Sequence, residues 1–214
     1  IGTGVRGYVW HAPNPRAVLL LQHGYSEYAQ RFVWQYNHLI PHLLDLGISV
    51  YAIDLWGHGR SPGGRAVTNL EQAVQDHLAA RRKLQEQPLP VYLFGHSMGG
   101  LVTASSAARE QGGLSGVILS SALLEYDEAN DPFLRFLLNV LAFVAPTLPT
   151  PVTPGDSSTL ASPDVLEASA NDPLIYQGRM PILLSATILN LVADLPSHYA
   201  SWTVPTLVMH GTAD

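Results

Sequence analysis

Short apolar runs alternate with longer segments of helical periodicity through the first 122 residues, and one more apolar run lies near residue 214. Strands are predicted where the aliphatic runs are too short for a helix, at 17–23, 48–55, 90–94, 115–121 and 205–211. Helices are predicted between them, at 32–47, 68–87 and 99–110. Strands and helices that alternate in this way form a mostly parallel sheet with helices on both faces, so the pattern predicts an α/β fold.

The segment 123–203 breaks this alternation. It contains nine prolines and two strongly apolar stretches, 132–144 and 181–195. A crossover between neighbouring parallel strands needs only about a dozen residues, far fewer than this segment has. We therefore predict an α/β core over 1–122, a helical cap over 123–203 above the carboxyl edge of the sheet, and a return to the core over 204–214.

Composition and charge exclude several classes of partner and of chemistry. The formal net charge is −6 without a run of either sign, so nucleic acid is not predicted as a partner. The chain has no cysteine, which excludes disulfides and thiolate chemistry. No apolar run reaches the roughly 20 residues that a membrane-spanning helix needs, and no secretory signal opens the chain. We expect a cytoplasmic protein, with peripheral contact to membranes as a further possibility.

Residues 95–99, Gly-His-Ser-Met-Gly, match the pattern G-x-S-x-G between a predicted strand and a predicted helix. In this nucleophile elbow the serine occupies a sharp strand-to-helix turn, and the helix N-terminus places partial positive charge beside it. Ser97 is therefore the predicted nucleophile. A glycine-rich turn that holds an incidental serine is the alternative.

The elbow predicts an oxyanion hole built from two backbone N–H groups. One belongs to the residue after the nucleophile, Met98, and the other to the loop after an early strand, where His23-Gly24-Tyr25 stands. We expect the amides of Tyr25 and Met98 to form this hole. A turn that uses Gly24 only for its backbone freedom would contain the same residues.

Asp214 follows the last predicted strand, where the acid of a Ser…Asp…His chain order is expected. All nine histidines precede it, and the pattern of the fold predicts a further strand and helix after it. We therefore expect the base histidine beyond residue 214 and a chain truncated at both ends, since IGTGVRGYVW opens inside a strand pattern. The alternative is a rearranged triad in which His198 acts with Glu125 or Asp127.

Another histidine pair raises the question of a metal. His38 and His42 have the i, i+4 spacing of a zinc pair, but no carboxylate stands between them and no third ligand is evident. A solvated helix face is the simpler interpretation. Catalysis by a serine nucleophile requires no metal and no organic cofactor, so neither is predicted.

Several motifs together resemble the bacterial type of the monoacylglycerol lipase and lysophospholipase-like group of α/β-hydrolases. They stand in the order HGYSEYAQRF (23–32), DLWGHGRSPG (54–63), GHSMGG (95–100), NDPLIYQGRMP (171–181) and HGTAD (210–214). The resemblance implies an α/β-hydrolase with an inserted helical cap, Ser97 as nucleophile and Asp214 as acid. It also implies a polar cluster of Glu27 and Arg31 near the glycerol end of the pocket, where a surface ion pair is the alternative.

The expected function is a serine carboxylic-ester hydrolase that cleaves a small single-chain lipid, monoacylglycerol. Residues 133–144 contain only two polar side chains, Arg135 and Asn139, which favours a helix at a lipid interface or along an acyl tunnel. An ordinary buried cap helix is the alternative. Rival functions are lysophospholipase, thioesterase or general esterase on the same scaffold, and a non-catalytic lipid-binding protein without the base histidine.

Overall fold

A computed structural model describes residues 4–150 and 163–212 of the chain. Within them, a six-stranded sheet has the order β1-β3-β2-β4-β5-β6. The β1 strand pairs antiparallel with β3, and every other pair is parallel. The strands are β1 Gly7–Trp10, β2 Ala17–Gln22, β3 Ile48–Ile53, β4 Val91–His96, β5 Gly116–Ser120 and β6 Thr206–Met209.

Helices cover both faces of this sheet, as the alternating pattern predicts. Successive residues of the fully buried β2 face opposite cores: Val18 and Leu20 pack in the larger cluster, whereas Leu19 and Leu21 pack in the smaller one. The helices are α1 Arg31–Trp34, α2 Leu39–Asp45, α3 Leu70–Gln85, α4 Met98–Arg109, α5 Pro132–Val144, α6 Pro163–Ala170 and α7 Ile182–Asp194, with short 3₁₀ helices at Tyr36–His38, Asp127–Asn130 and Leu195–Ser201.

The single helix predicted over 32–47 is wrong, because the chain breaks between α1 and α2. Tyr36, Asn37 and His38 have φ angles of 52°, 53° and 54°, in the left-handed region that L-residues rarely adopt. The Tyr36 ring stacks on Phe32 with centroids 4.3 Å apart, and its hydroxyl donates to the Glu27 carboxylate. These contacts are not visible in a periodicity pattern. The break also removes His38 from the helix of His42, so the two histidines do not share one helix face.

The start of α3 agrees with the sequence. The Asn69 side chain accepts hydrogen bonds from the amides of Glu71 (2.9 Å) and Gln72 (3.3 Å), which are otherwise unpaired at a helix N-terminus. An equivalent cap begins α5, where the Asp131 carboxylate accepts from Phe133 N–H at 2.9 Å and Pro132 occupies the first helical position.

Both apolar stretches of the predicted cap are helical, but they differ in burial. The second, α7, packs against α3 and α4, and its Leu184, Leu189 and Leu191 belong to the larger core cluster. The first, α5, packs on α7 through a reciprocal pair of hydrogen bonds between Asn139 and Asn190. The opposite face of α5 is exposed and apolar: Phe133, Phe136, Leu137, Val140, Phe143 and Val144. The division of the chain at 122 and 203 stays a prediction.

A buried polar cluster joins α3 to the C-terminal end of α4. Arg81, which is fully buried, donates to the carbonyl oxygen of Ser106 at 2.9 Å, where the helix dipole favours a cation. The ring Nδ1 of His77 lies 2.9 Å from the Ser106 hydroxyl, and His77 Nε2 has no hydrogen-bond partner among the described residues. Burial, and then the charge of Arg81, lower the pKa of His77 from its ordinary 6.5 to about 3.

This cluster should make the fold sensitive to acid. The folded-state pKa of His77 lies below its unfolded value, so its contribution to stability is complete above pH 6.5 and is lost as the pH falls towards 3. Between pH 7.5 and 5.5 the loss is about 1.4 kcal/mol for one such histidine. Over this interval we therefore expect the free energy of unfolding of His77→Asn, measured in urea, to fall by about 1.4 kcal/mol less than that of wild type.

The control is His42→Asn, the same substitution on an exposed helix face. Equal pH slopes for His77→Asn and wild type would contradict the expectation. The burial of His58, whose pKa is also lowered to about 3, leaves an acid-sensitive background in all three proteins.

Candidate active site

Ser97 stands at the junction of β4 and α4 in a strained backbone conformation. Its φ of 53° and ψ of −123° are rare for a residue with a side chain, and strain of this kind is typical of the nucleophile elbow. Neighbouring backbone holds the turn: Ser97 N–H donates to Ser120 O at 3.0 Å, and Ser97 O accepts from Leu123 N–H at 3.1 Å. Residues 95–99 therefore form the sharp strand-to-helix turn that their sequence motif predicts.

The glycines of the motif are required by close approach of other atoms. A Cβ built on Gly95 would lie 2.5 Å from Thr103 Oγ1 and 2.6 Å from Gly99 O. A Cβ built on Gly99 would lie 2.5 Å from Gln22 O, and nearer still to the carbonyl oxygen of His23. These separations are well below van der Waals contact, so glycine is needed at 95 where β4 passes the first turns of α4, and at 99 where the elbow fits against the end of β2.

A cleft of about 1030 Å³ opens above Ser97. It brings together four residues that the sequence nominates, namely Ser97, Tyr25, Glu27 and Arg31. The Met98 side chain is buried at 2% exposure, but its N–H is at the first position of α4, where an amide has no partner within the helix. Apolar side chains form another part of the wall: Leu123, Leu124, Leu166, Ile175 and Tyr176.

Glu27 and Arg31 form a buried polar cluster, and the surface ion pair considered above is wrong. Their exposed fractions are 3% and 7%, and Arg31 Nη1 lies 3.5 Å from Glu27 Oε2. Tyr36, which the sequence did not nominate, donates its hydroxyl to Glu27 Oε2 at 2.6 Å. Burial and the neighbouring Glu27 raise the pKa of Tyr36 far above its usual range, so this hydroxyl stays protonated as a donor.

Hydrogen bonds tie the loop 24–31 to the segment 169–178, which the sequence assigns to the cap. Ser26 and Tyr176 are joined twice, by the Ser26 hydroxyl to Tyr176 O and by Tyr176 N–H to Ser26 O. Tyr28 donates to Asp172 Oδ2 at 2.6 Å. Arg31 Nη2 donates to Ser169 Oγ at 2.9 Å. The loop that carries the Tyr25 amide is therefore held by the segment 169–178 as well as by the sheet.

The acid and the base of the predicted triad remain predictions. Asp214 lies outside the described residues. His198 has its Nε2 3.4 Å from Asp194 Oδ2 and is not among the residues that line the cleft, and the alternative triad with Glu125 or Asp127 stays a prediction. His210 lines the cleft beside Ser97. Within residues 4–150 and 163–212, no group of three His, Asp or Glu side chains could hold a metal ion.

Asp54 is a buried carboxylate that connects three segments near the cleft. Its Oδ1 accepts from Ala29 N–H at 2.9 Å, and its Oδ2 accepts from the Tyr8 hydroxyl at 2.8 Å and from Arg60 N–H at 2.9 Å. One fully buried carboxylate thus joins β1, the loop 24–31 and the loop after β3. Each donor satisfies part of a charge that would be costly to bury unpaired.

Comparisons with known proteins agree with this geometry. The family described as serine aminopeptidase, S33, matches residues 13–214. A monoacylglycerol lipase of Mycolicibacterium smegmatis is 33% identical over 204 residues, which cover 94% of this chain and 71% of the relative. A human monoglyceride lipase is 33% identical over 94% of this chain, which spans 66% of the human protein.

The fold is likewise similar to that of solved structures. The crystal structure of a monoacylglycerol lipase from Paleococcus ferrophilus superposes with a TM-score of 0.81 at 27% identity, covering 97% of this chain and 77% of that protein. This likeness confirms the predicted fold, in which a mostly parallel sheet carries the elbow at the carboxyl end of β4.

Proposed function

Because the chain belongs to the serine aminopeptidase S33 family of hydrolases, we propose that it cleaves monoacylglycerols to a fatty acid and glycerol. The observation that carries this proposal is the strained Ser97 at the floor of a large cleft with one polar and one apolar wall. The lipase relatives, which match over almost the whole of this chain, support the same substrate class.

The proposed reaction proceeds through an acyl-enzyme. Ser97 Oγ attacks the ester carbonyl carbon while a histidine base takes its proton, and the tetrahedral oxyanion accepts hydrogen bonds from the amides of Tyr25 and Met98. Collapse of the tetrahedral intermediate breaks the C–O bond to glycerol, and glycerol leaves with the proton that the base had taken. Water then attacks the acyl-enzyme in the same way and releases the fatty acid. Asp214 would orient the base.

The two walls of the cleft support an orientation for the substrate. The polar cluster of Glu27 and Arg31 is one of them, and it suits the hydroxyls of glycerol. Leucine and isoleucine side chains line the other wall, which suits a hydrocarbon chain: Leu123, Leu124, Leu166 and Ile175. A long acyl chain therefore gains more from this cleft than a short one, at about 0.8 kcal/mol for each buried methylene.

Transient contact with a membrane surface from the cytoplasmic side is part of the proposal. The exposed apolar face of α5, with Phe143 at 90% exposure, supports it. None of the helices in residues 4–150 and 163–212 has the length and apolar character to cross a membrane. Failure of the protein to sediment with phospholipid vesicles would contradict this contact.

The proposed activity should appear as labelling and turnover by the same serine. We expect a fluorophosphonate to add once to the purified protein, at Ser97, as measured by intact-mass and peptide mass spectrometry. We also expect kcat/KM to rise at least about tenfold from a four-carbon to a twelve-carbon monoacylglycerol, because burial of two methylenes already contributes more than that factor.

The same assay separates the proposal from its rivals. Lysophosphatidylcholine, an acyl thioester and a methyl ester of equal acyl length serve as matched substrates. A preference for any of them over monoacylglycerol would replace the proposed substrate while keeping the serine hydrolase. Absence of both adduct and turnover, with fatty acid still bound, would favour a lipid-binding protein instead.

A further inference from the structure

His23 follows β2 directly and is fully buried beneath the oxyanion loop. Leu55 N–H lies 3.0 Å from its Nε2, and Gly24 O lies 2.8 Å from its Nδ1. A backbone amide can only donate, so Nε2 must accept and the ring proton must be on Nδ1. His23 therefore donates a hydrogen bond to the carbonyl oxygen of Gly24.

Glu27 binds the other backbone polar group of Gly24, its N–H. Its Oε1 accepts from Gly24 N–H at 2.7 Å, while its Oε2 accepts from the Tyr36 hydroxyl at 2.6 Å. Both carboxylate oxygens thus have protein donors at short distance, and the side chain is 3% exposed. Gly24 is consequently fixed on both sides, its N–H by Glu27 and its C=O by His23.

The two hydrogen bonds of Gly24 determine the direction of the Tyr25 N–H. In a trans peptide the C=O of Gly24 and the N–H of Tyr25 point in opposite directions. With the carbonyl directed at the buried ring of His23, the Tyr25 N–H is directed away from it. The turn also lies against the nucleophile, since a Cβ built on Gly24 would be 3.1 Å from Ser97 Cβ and 3.2 Å from His96 O.

We propose that His23 and Glu27 are positioning residues that hold the Gly24–Tyr25 peptide so that its N–H is ready to bind the oxyanion beside Ser97. This inference rests on the proposed function, and it changes the role assigned to Glu27. A glycerol-binding carboxylate would act mainly on KM. A group that orients an oxyanion donor acts on the transition state, and its loss lowers kcat with little change in KM.

Two amide replacements of His23 test this directly. Asn places its side-chain N–H₂ near the position of Nδ1 and can still donate to Gly24 O. Gln reaches the position of Nε2 and cannot. We expect His23→Gln to lower kcat roughly tenfold to a hundredfold with KM within about threefold of wild type, since outright loss of an oxyanion donor costs about 10²–10³. His23→Asn should exceed His23→Gln in kcat by at least about tenfold.

A matched pair at Glu27 gives an independent test if a His23 variant fails to fold. Glu27→Gln keeps a carbonyl oxygen to accept from Gly24 N–H, whereas Glu27→Met has similar length and no acceptor. We expect Glu27→Met to lose kcat by roughly tenfold or more and Glu27→Gln to retain at least several times its value, each at unchanged KM. Thermal unfolding midpoints show whether either variant differs in stability.

The outcomes distinguish this inference from the function on which it rests. A wild-type protein that neither labels at Ser97 nor hydrolyses esters would overturn both. An active wild type with equal kcat in His23→Asn and His23→Gln would overturn the positioning role of His23 alone. A rise in KM at constant kcat in Glu27→Met would return Glu27 to substrate binding.

Discussion

Replacement of Ser97 by alanine should lower kcat for ester hydrolysis by about 10⁴-fold or more, because loss of a serine nucleophile leaves only the oxyanion hole and binding to act on the substrate. The fold should persist, because Ser97 takes part in the turn through its backbone N–H and C=O, which alanine retains. Steady-state kinetics on a monoacylglycerol and fluorophosphonate labelling measure the effect, and the thermal midpoint checks the fold.

Ser105→Ala is the matched control for this experiment. Ser105 is in the same helix, α4, and its buried hydroxyl has no hydrogen-bond partner among the described residues, so alanine removes no interaction there. Labelling that persists in Ser97→Ala, or a loss of activity in Ser105→Ala equal to that in Ser97→Ala, would show that the nucleophile is elsewhere.

Gly99→Ala should destabilise the protein by about 3 kcal/mol, at the upper end of the usual cost of overpacking a core. The added Cβ would meet the carbonyl oxygens of Gln22 and His23, and backbone cannot move aside as a flexible side chain can. For a chain of this size the expected drop in thermal midpoint is roughly 6–12 °C. Differential scanning calorimetry or urea unfolding measures it.

Gly112→Ala controls for the substitution itself, because a Cβ at Gly112 meets nothing within 4 Å. Its midpoint should stay within about 2 °C of wild type. A Gly99→Ala protein as stable as Gly112→Ala would mean that the elbow does not pack against the end of β2 as described. One of the two carbonyls that the added Cβ would meet belongs to His23, which precedes Gly24 and Tyr25. A Gly99→Ala protein that still folds should therefore also lose activity.

The strands and the elbow could be predicted from sequence because both depend on local signals. A run such as 17–23 is aliphatic throughout, and burial on both faces of a parallel sheet requires this of β2. The elbow is specified by two glycines and by a strand-helix junction within a few residues. The boundaries moved by one or two residues, as at β4, where the strand continues to His96 beyond the predicted end at 94.

The features that were missed depend on contacts between distant segments. Tyr36 leaves the helical pattern because its hydroxyl reaches Glu27, and nothing in the spacing 32–47 shows that partner. The buried Arg31 likewise donates to Ser169, which is 138 residues away along the chain, and no local pattern shows that partner. The role of His23 as a donor to Gly24 requires the Leu55 amide, which only the fold brings to its Nε2.

The ties between the loop 24–31 and the segment 169–178 have a consequence for how such enzymes diversify. Tyr28 with Asp172 and Arg31 with Ser169 are side-chain pairs that a substitution on either side would break, and the Ser26 hydroxyl binds the backbone carbonyl of Tyr176. We therefore expect a segment 169–178 that is exchanged between relatives, by recombination or in a designed chimaera, to need a matching version of the loop 24–31. The two segments would then be exchanged as one unit.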